Sequence, residues 1–269
     1  MPELPEVQTI IDDLADKITG KRIVEIDLIT PSVWRDGIPQ PELLLGTKIK
    51  NFERAGKHIL IHLSNKNTII IHLKMTGKLT VNKHHDPISK HTHLVIKFAR
   101  DELRFNDVRR FGYLDCIESS QLSKVEYLAR LGPDSLKIPA DEFIRLIRSR
   151  KRTIKSLLLD QEVIAGLGNI YSDEALFAAR IDPSRSAGGI STARLKKLHG
   201  CILAILQAAI KARGSSVSNY VDGSGKRGDF QKYHKVYGRS GQPCVRCGTS
   251  IKKRIISGRS SHFCSRCQR

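Results

Sequence analysis

Acidic residues are the scarce class in this sequence. Across 269 residues, 27 Asp and Glu face 46 Lys and Arg, a formal charge of +19 at pH 7. The shortage deepens toward the end of the chain. Residues 211–269 hold fourteen Lys or Arg and only Asp222 and Asp229, so a net +12 lies in the last fifth. A balance that basic points to a polyanionic partner, most simply nucleic acid. Turn glycines, aromatics and cysteines in the same stretch argue for a folded module over a basic tail. Long apolar runs are missing too. No stretch has the length to span a membrane, and a soluble protein is expected. The opening residues lack the basic start and apolar run of a signal peptide. A reducing cytoplasm or nucleoid is the expected compartment, and disulfides are not. No internal repeat is evident.

What is present falls into three blocks. Val7, Ile10, Ile11, Leu14 and Ile18 recur at helical spacing, predicting a helix over residues 5–19 that ends at Gly20. From Lys21 to about Ile117 short β-like runs follow, among them Arg22–Thr30, His58–Leu63, Thr68–Leu73, His93–Phe98 and Phe111–Ile117. Several closely spaced strands predict a β-sandwich with the first helix packed along it. After Leu131-Gly132-Pro133 the pattern is helical, at Ala140–Arg150, Thr153–Asp160, Asn169–Arg180 and Ser191–Arg213. Gly214–Lys235 is rich in Gly, Ser and charge, and reads as a linker or a loop that orders on a ligand.

The strongest single pattern is Cys244-Val-Arg-Cys247 and Cys264-Ser-Arg-Cys267, separated by sixteen residues. Two such knuckles place four thiolates for one tetrahedral Zn2+, and a set closed by four sulfurs is structural. Between them, Ile251–Ile256 and Ser261–Phe263 predict a hairpin with Ser257-Gly258-Arg259-Ser260 at its turn, where Arg259 could reach a groove or a phosphate. Cys116 and Cys201 sit in apolar surroundings and read as plain core residues.

Four other runs could carry chemistry. In Met1-Pro2-Glu3-Leu4-Pro5-Glu6, removal of Met1 is expected to leave Pro2 with a free secondary amine beside a carboxylate. An α-amino group has a pKa of about 7.7–8.0, so it can act as a nucleophile near neutrality, with Glu3 as acid or base. Alone, these residues favour the plainer reading of a rigid helix start. Gly166-Leu167-Gly168-Asn169 precedes a helix and could present N–H groups to a phosphate; it follows no strand, which excludes a dinucleotide site. Asn106-Asp107-Val108-Arg109-Arg110-Phe111 joins arginines to an aromatic. His72-Leu73-Lys74-Met75-Thr76-Gly77 puts an apolar wedge at a turn. Lys57 and the pair His91 and His93 stand beside other strands, and no acidic partner near the histidines suggests a second metal.

Together these pieces resemble the bacterial formamidopyrimidine-DNA glycosylases from end to end. The matching runs are Pro2–Val7, Arg54–Lys57, His72–Gly77, Lys90–His93, Asp107–Phe111, Gly166–Tyr171 and Val236–Gly238, with the cysteine knuckles behind them. The resemblance implies a multi-domain α+β fold: an N-terminal β-sandwich with a flanking helix (1–132), a helix–two-turn–helix domain with a lesion-capping loop (133–235) and a zinc finger (236–269). It implies a monomer that acts on damaged double-stranded DNA and excises 8-oxoguanine or formamidopyrimidines. Pro2 would attack C1′ and form an iminium, Glu3 would move protons at the sugar, and β- and δ-elimination would cut the strand. Lys57 and Arg259 match the family's catalytic lysine and zinc-finger arginine. His91, Arg109, Arg150 and Asn169 match backbone contacts, while Met75, Arg109 and Phe111 match the residues that fill the gap left by the flipped base. Gln8 stands where glutamate is common, and Asp229–His234 departs from the usual run. A rival is the class resembling endonuclease VIII, against which Leu4 speaks because glycine is usual there. A zinc-ribbon DNA-binding protein without catalysis is the rival of another kind, and a catalytically dead relative is a third, although Pro2, Glu3 and Lys57 are all present.

Overall fold

The structure, a computed structural model, describes residues 1–35 and 41–269. Two compact units emerge, Met1–Ala129 with Ala212–Asp229, and Arg130–Lys211 with Phe230–Arg269.

The first unit opens with helix α1 (Leu4–Ile18), close to its expected span. Glu3 is its N-cap in extended conformation and Pro5 sits in the first turn, where a missing N–H costs no helical bond. Val7, Ile10, Ile11, Leu14 and Ile18 are all buried, each burial stabilising by about 1.5–3 kcal/mol. Gly20 (φ +80°) turns the chain out of the helix and donates to Ile49 O at 2.8 Å.

Among the described residues eight strands follow: β1 (Glu25–Asp27), β2 (Ile49–Ala55), β3 (His58–Leu63), β4 (Asn67–His72), β5 (Gly77–Asn82), β6 (Thr92–Lys97), β7 (Glu102–Asp107) and β8 (Tyr113–Glu118). They form two antiparallel sheets ordered β1-β6-β7-β5 and β2-β3-β4-β8, the expected sandwich. Ile59, Ile61, Ile69 and Ile71 from one sheet share a core with Leu79, Leu94, Ile96 and Phe105 from the other, and α1 packs into it. The run expected as one strand over Arg22–Thr30 is shorter because it changes partner. Ile23 N bonds to Thr47 O, whereas Val24 N already bonds to Lys97 O beside the other sheet. Strands β2, β5 and β7 add to the runs named from sequence. In central β7, Glu102 and Arg104 are buried against each other, so charge masks the alternation of Leu103 and Phe105. A short helix, α2 (Glu126–Ala129), closes this stretch.

Residues 212–229 return to this unit, although their composition reads as a linker. Arg213 bridges Asp13 of α1 and buried Asp222, and Gly223 N donates to Asp13 Oδ2 at 3.0 Å. Tyr220 joins the sandwich core. Gly228 passes so close to the carbonyls of Arg213 and Gly214 that a Cβ would lie 2.3 Å from each.

The second unit contains α3 (Ala140–Arg148), α4 (Ile154–Leu159), α5 (Asn169–Ala179) and α6 (Thr192–Lys211). Thr153 caps α4 through its side-chain oxygen. Gln161 holds the double turn before α5: its amide nitrogen donates to Leu159 O and Leu167 O, and its oxygen accepts from Gly166 N. Helix α5 is buried on almost every side. A hairpin of β9 (Lys252–Ile256) and β10 (Arg259–Phe263) completes the unit. Its turn is Ser257-Gly258 alone, both at positive φ, which suits the twist of a two-residue hairpin. Arg259, expected within the turn, is the first residue of β10 and is exposed. Among the described residues no helix is long and apolar enough to cross a membrane.

Candidate active site and nucleic-acid interface

In the first unit the N-terminus of α1 is held by reciprocal caps. Glu3 accepts from the backbone of Glu6, and Glu6 Oε2 accepts from Glu3 N at 2.8 Å. Glu6 Oε1 then takes Ser215 N from the returning segment at 2.8 Å. Gly214 (φ +79°) fits between Glu6 and Tyr220, each about 3 Å from where its Cβ would be. Pro2, Glu3, Glu6 and Lys57 are all buried. Burial pushes the Met1 amine below its ordinary pKa; Glu3 and Glu6 oppose that shift and the positive charge of Lys57 adds to it. Thus Pro2, Glu3 and Lys57 share one electrostatic environment. A secondary amine and a carboxylate there can perform nucleophilic and proton-transfer chemistry.

Lys57 stands at the β2–β3 turn, where Gly56 has φ +57°. Arg54 Nη1 donates to Gly56 O at 3.1 Å, and its Nε donates to Gln8 Oε1 at 3.0 Å. Next along the chain, His58 Nδ1 lies 3.1 Å from Ala55 O and Nε2 3.2 Å from the Tyr113 hydroxyl. Burial lowers the pKa of His58 to about 4 and that of neighbouring His72 to about 2.

Met75, Arg109 and Phe111 converge at the turn after β7. Arg109 Nη1 lies 3.3 Å from Met75 Sδ, and its guanidinium sits 4.5 Å from the Phe111 ring centre. Met75 and Phe111 are exposed large apolar side chains. Buried Asp107 shapes this turn. It accepts Thr76 Oγ1, Arg109 N and Gly112 N, while its carbonyl lies 2.7 Å from His93 Nε2. The latter contact makes His93 a buried structural residue. His91 is half-buried, and its carbonyl accepts Asp107 N.

In the second unit, Asn169 is the first residue of α5, and its Nδ2 donates to Ser260 O at 2.8 Å. That bond sets it beside Arg259 on the hairpin. Asp173 braces the same junction from one turn further along. One carboxylate oxygen takes buried Lys155 at 2.6 Å, and the other takes His262 N at 2.8 Å. Lys155 also donates to Asn169 O. Arg150 lies just beyond α3, and its hydrogen bonds return to Leu146 O and Ser149 Oγ of the same segment. The structure does not join it to Asn169 or Arg259 by a recorded bond. Glu174 receives the N–H groups of Lys235, Val236 and Tyr237, fixing the chain ahead of the knuckles.

The sulfurs of Cys244, Cys247, Cys264 and Cys267 all lie within 4.8 Å of one another, with recorded separations of 3.4 to 3.9 Å. Tetrahedral Zn–S bonds of about 2.3 Å give sulfur separations near 3.8 Å, so the set fits zinc. Phe177 of α5 and Val236 and Ile251 pack against the cysteines as a small core.

Family models match nearly the whole chain. Residues 1–114 match the formamidopyrimidine-DNA glycosylase N-terminal domain, 131–221 its H2TH domain and 241–269 the zinc finger found in FPG and IleRS. The chain belongs to the formamidopyrimidine-DNA glycosylase family. The relative from Solibacter usitatus named formamidopyrimidine-DNA glycosylase is 44% identical over 271 residues, with both chains fully covered. That of Geobacillus kaustophilus is 41% identical, again over all of both chains. Among solved structures, a point mutant of the Lactococcus lactis FPG in complex with a Fapy-dG containing DNA superposes with a TM-score of 0.93 at 35% identity over all of both chains. The L. lactis Fpg complex with an abasic site containing DNA gives 0.93 at 36% identity over 99% of each. As a member of this family the chain carries one structural Zn2+ on its four cysteines.

Glu6, Asp107 and Asp173 had no role assigned from sequence. Glu3-x-x-Glu6 is a readable capping spacing. Asp107 takes the N–H groups of Arg109 and Gly112 in the turn that follows it, a local spacing, whereas Asp173 depends on residues 18 and 89 positions away and leaves no local signal.

Proposed function

We propose that this protein is a base-excision-repair DNA glycosylase with AP-lyase activity, acting on oxidised purines in duplex DNA. The observation that carries this reading is the buried N-terminus of α1, where the Pro2 amine, Glu3 and Lys57 meet. Burial, aided by Lys57 and opposed by Glu3 and Glu6, lowers the pKa of the Met1 amine, and the Pro2 amine freed by removal of Met1 would meet the same surroundings. Pro2 attacks C1′ of the damaged nucleotide, and the glycosidic bond to the base breaks. The sugar ring opens with proton transfer by Glu3, leaving an iminium between Pro2 and C1′. Elimination then releases the phosphate on the 3′ side and afterwards that on the 5′ side. Lys57 acts at this centre as a cation.

Met75, Arg109 and Phe111 supply the wedge that occupies the space of the everted nucleotide, and His91 contacts the backbone. Asn169, Arg259 and Arg150 grip phosphates from the second unit, and the Gly214–Lys235 stretch covers the loop that closes over the lesion. The proposed domains are 1–132, 133–235 and 236–269, and the substrate is nucleoid DNA. The relatives' names and the DNA complexes of the L. lactis protein support this reading. The direct test is excision and nicking of a duplex carrying 8-oxoguanine opposite cytosine. Parent protein should cut it, and Glu3→Gln should lose activity by about 100-fold or more, the usual share of a general acid–base group. Full activity in Glu3→Gln would reject the assigned role.

A further inference from the structure

Helix α5 begins at Asn169 beside the zinc hairpin and ends at Ala179 beside a groove of about 650 Å3. Eleven residues at about 1.5 Å rise separate the two ends by about 16 Å. Six cations line this groove: Arg180, Arg194, Lys197, Arg246, Arg266 and Arg269. The rest of its lining is Ala179 and the edges of Cys247 and Cys267, with no Asp or Glu. Zinc bound by four thiolates carries a formal −2 and the carboxylate of Arg269 a further −1, which leaves the groove at +3.

Two of the cations are fixed in place. Arg246 donates to Phe177 O at 2.7 Å and lies 4.2 Å from the Phe177 ring centre. Arg194 donates to the carbonyl of Arg180 at 2.8 Å and to an oxygen of the carboxyl group of Arg269, the last residue of this chain, at 2.7 Å. Arg180, Lys197 and Arg266 are exposed. Arg180 is unusual as well in its backbone, since it caps α5 in the left-handed region at φ 62° and ψ 34°. Glycine is the residue that position favours, so an arginine holds its charge there against a conformational preference.

We propose that this groove binds the phosphodiester backbone of a second nucleic-acid segment, apart from the one gripped at Asn169 and the hairpin. Guanidinium forks match phosphate oxygens, and preset arginines lose little freedom on binding. An acidic peptide would be expected to use an apolar anchor as well, and beyond Ala179 and the two cysteines the lining offers none. Two backbone sites on one unit let the protein pass from one DNA segment to another without full release.

The test uses the full, zinc-loaded protein saturated with a short duplex containing an uncleavable abasic analogue. A labelled undamaged duplex is then titrated in and followed by anisotropy. The parent should form the ternary complex. The variant Arg180→Gly/Lys197→Ala/Arg266→Ser should bind the second duplex at least tenfold more weakly. Its salt slope should fall by about 2–3, since each lost phosphate contact removes about 0.9. Zinc content, affinity for the first duplex and excision should be unchanged. Glycine suits the backbone at position 180, and Lys197→Glu alone provides a second variant on an exposed helix surface. Absence of a ternary complex with the parent, or second-duplex binding by both variants as tight as the parent's, would overturn the proposal. So would displacement of the second duplex from the parent by an oligoglutamate that binds equally well to the triple variant.

Discussion

Glu6 Oε1 accepts the backbone N–H of Ser215 at 2.8 Å while its other oxygen holds the N–H of Glu3. One buried carboxylate therefore ties the start of α1 to the segment that returns 209 residues later. Replacing it by glutamine turns an acceptor oxygen into a donor facing an N–H. Losing a charge-assisted hydrogen bond inside the protein costs about 1.5–3 kcal/mol. Glu6→Gln should lower the urea midpoint accordingly and slow excision, because the Ser215 segment is no longer fixed. Parent-like stability and rate together would remove Glu6 from the account.

Asp173 makes a comparable join in the second unit. Its side chain and that of Lys155 are fully buried. Asp173→Ala would strand the Lys155 ammonium and release His262 N, costing about 3–5 kcal/mol. The double change Asp173→Leu/Lys155→Met removes both charges and should recover much of that loss. Denaturant titration of both variants checks this. A double variant no more stable than the single one would contradict the ion-pair explanation.

Acid should destabilise the first unit through His58. Its folded pKa is lowered to about 4 by burial, against about 6.5 in the unfolded chain. The unfolded chain thus takes up a proton first as pH falls. The contribution of His58 is complete above pH 6.5 and is lost between 6.5 and 4, by about 3 kcal/mol at most. His72, lowered to about 2 by burial and by the charges of His58, Lys74, Lys57 and Arg35, acts in the same direction. Urea unfolding at pH 7.5 and 4.5 should show a smaller loss in His58→Gln than in the parent. Identical acid losses in the two proteins would discount the imidazole.

Zinc removal should act locally. The cysteines and their small core lie in the second unit, whereas the sandwich core draws on residues of the first. Chelation should weaken binding to duplex DNA while leaving the sandwich folded, because metal binding and folding are coupled in such modules. Unchanged affinity after verified loss of zinc would count against a DNA-binding role for the hairpin.

What the sequence discloses follows from how far each signal reaches. Helix α1 was legible from five apolar positions, and the zinc set from two spacings, since both patterns are local. The return of 212–229 was not, because Gly and Ser there suggest a linker. Its order depends on Asp13 and on the core around Tyr220, about 200 residues away. Strand β7 was obscured by Glu102 and Arg104, which are buried as a pair while Arg104 also donates to the carbonyls of Asp86 and Pro87. In the hairpin, a serine at φ 49° let the turn close in two residues, shorter than the four expected. Asp107 and Asp173 were visible as letters, but their partners come from several strands and helices.

The amine mechanism is tested most directly by a borohydride trap on a duplex carrying 8-oxoguanine opposite cytosine, with a thymine-glycol duplex in parallel. A covalent protein–DNA adduct, mapped by mass spectrometry to Pro2, should be strong on the first duplex and weak on the second. Trapping only on thymine glycol would contradict the oxidised-purine assignment. No adduct on either duplex, with Met1 absent and DNA bound, would contradict the amine mechanism itself.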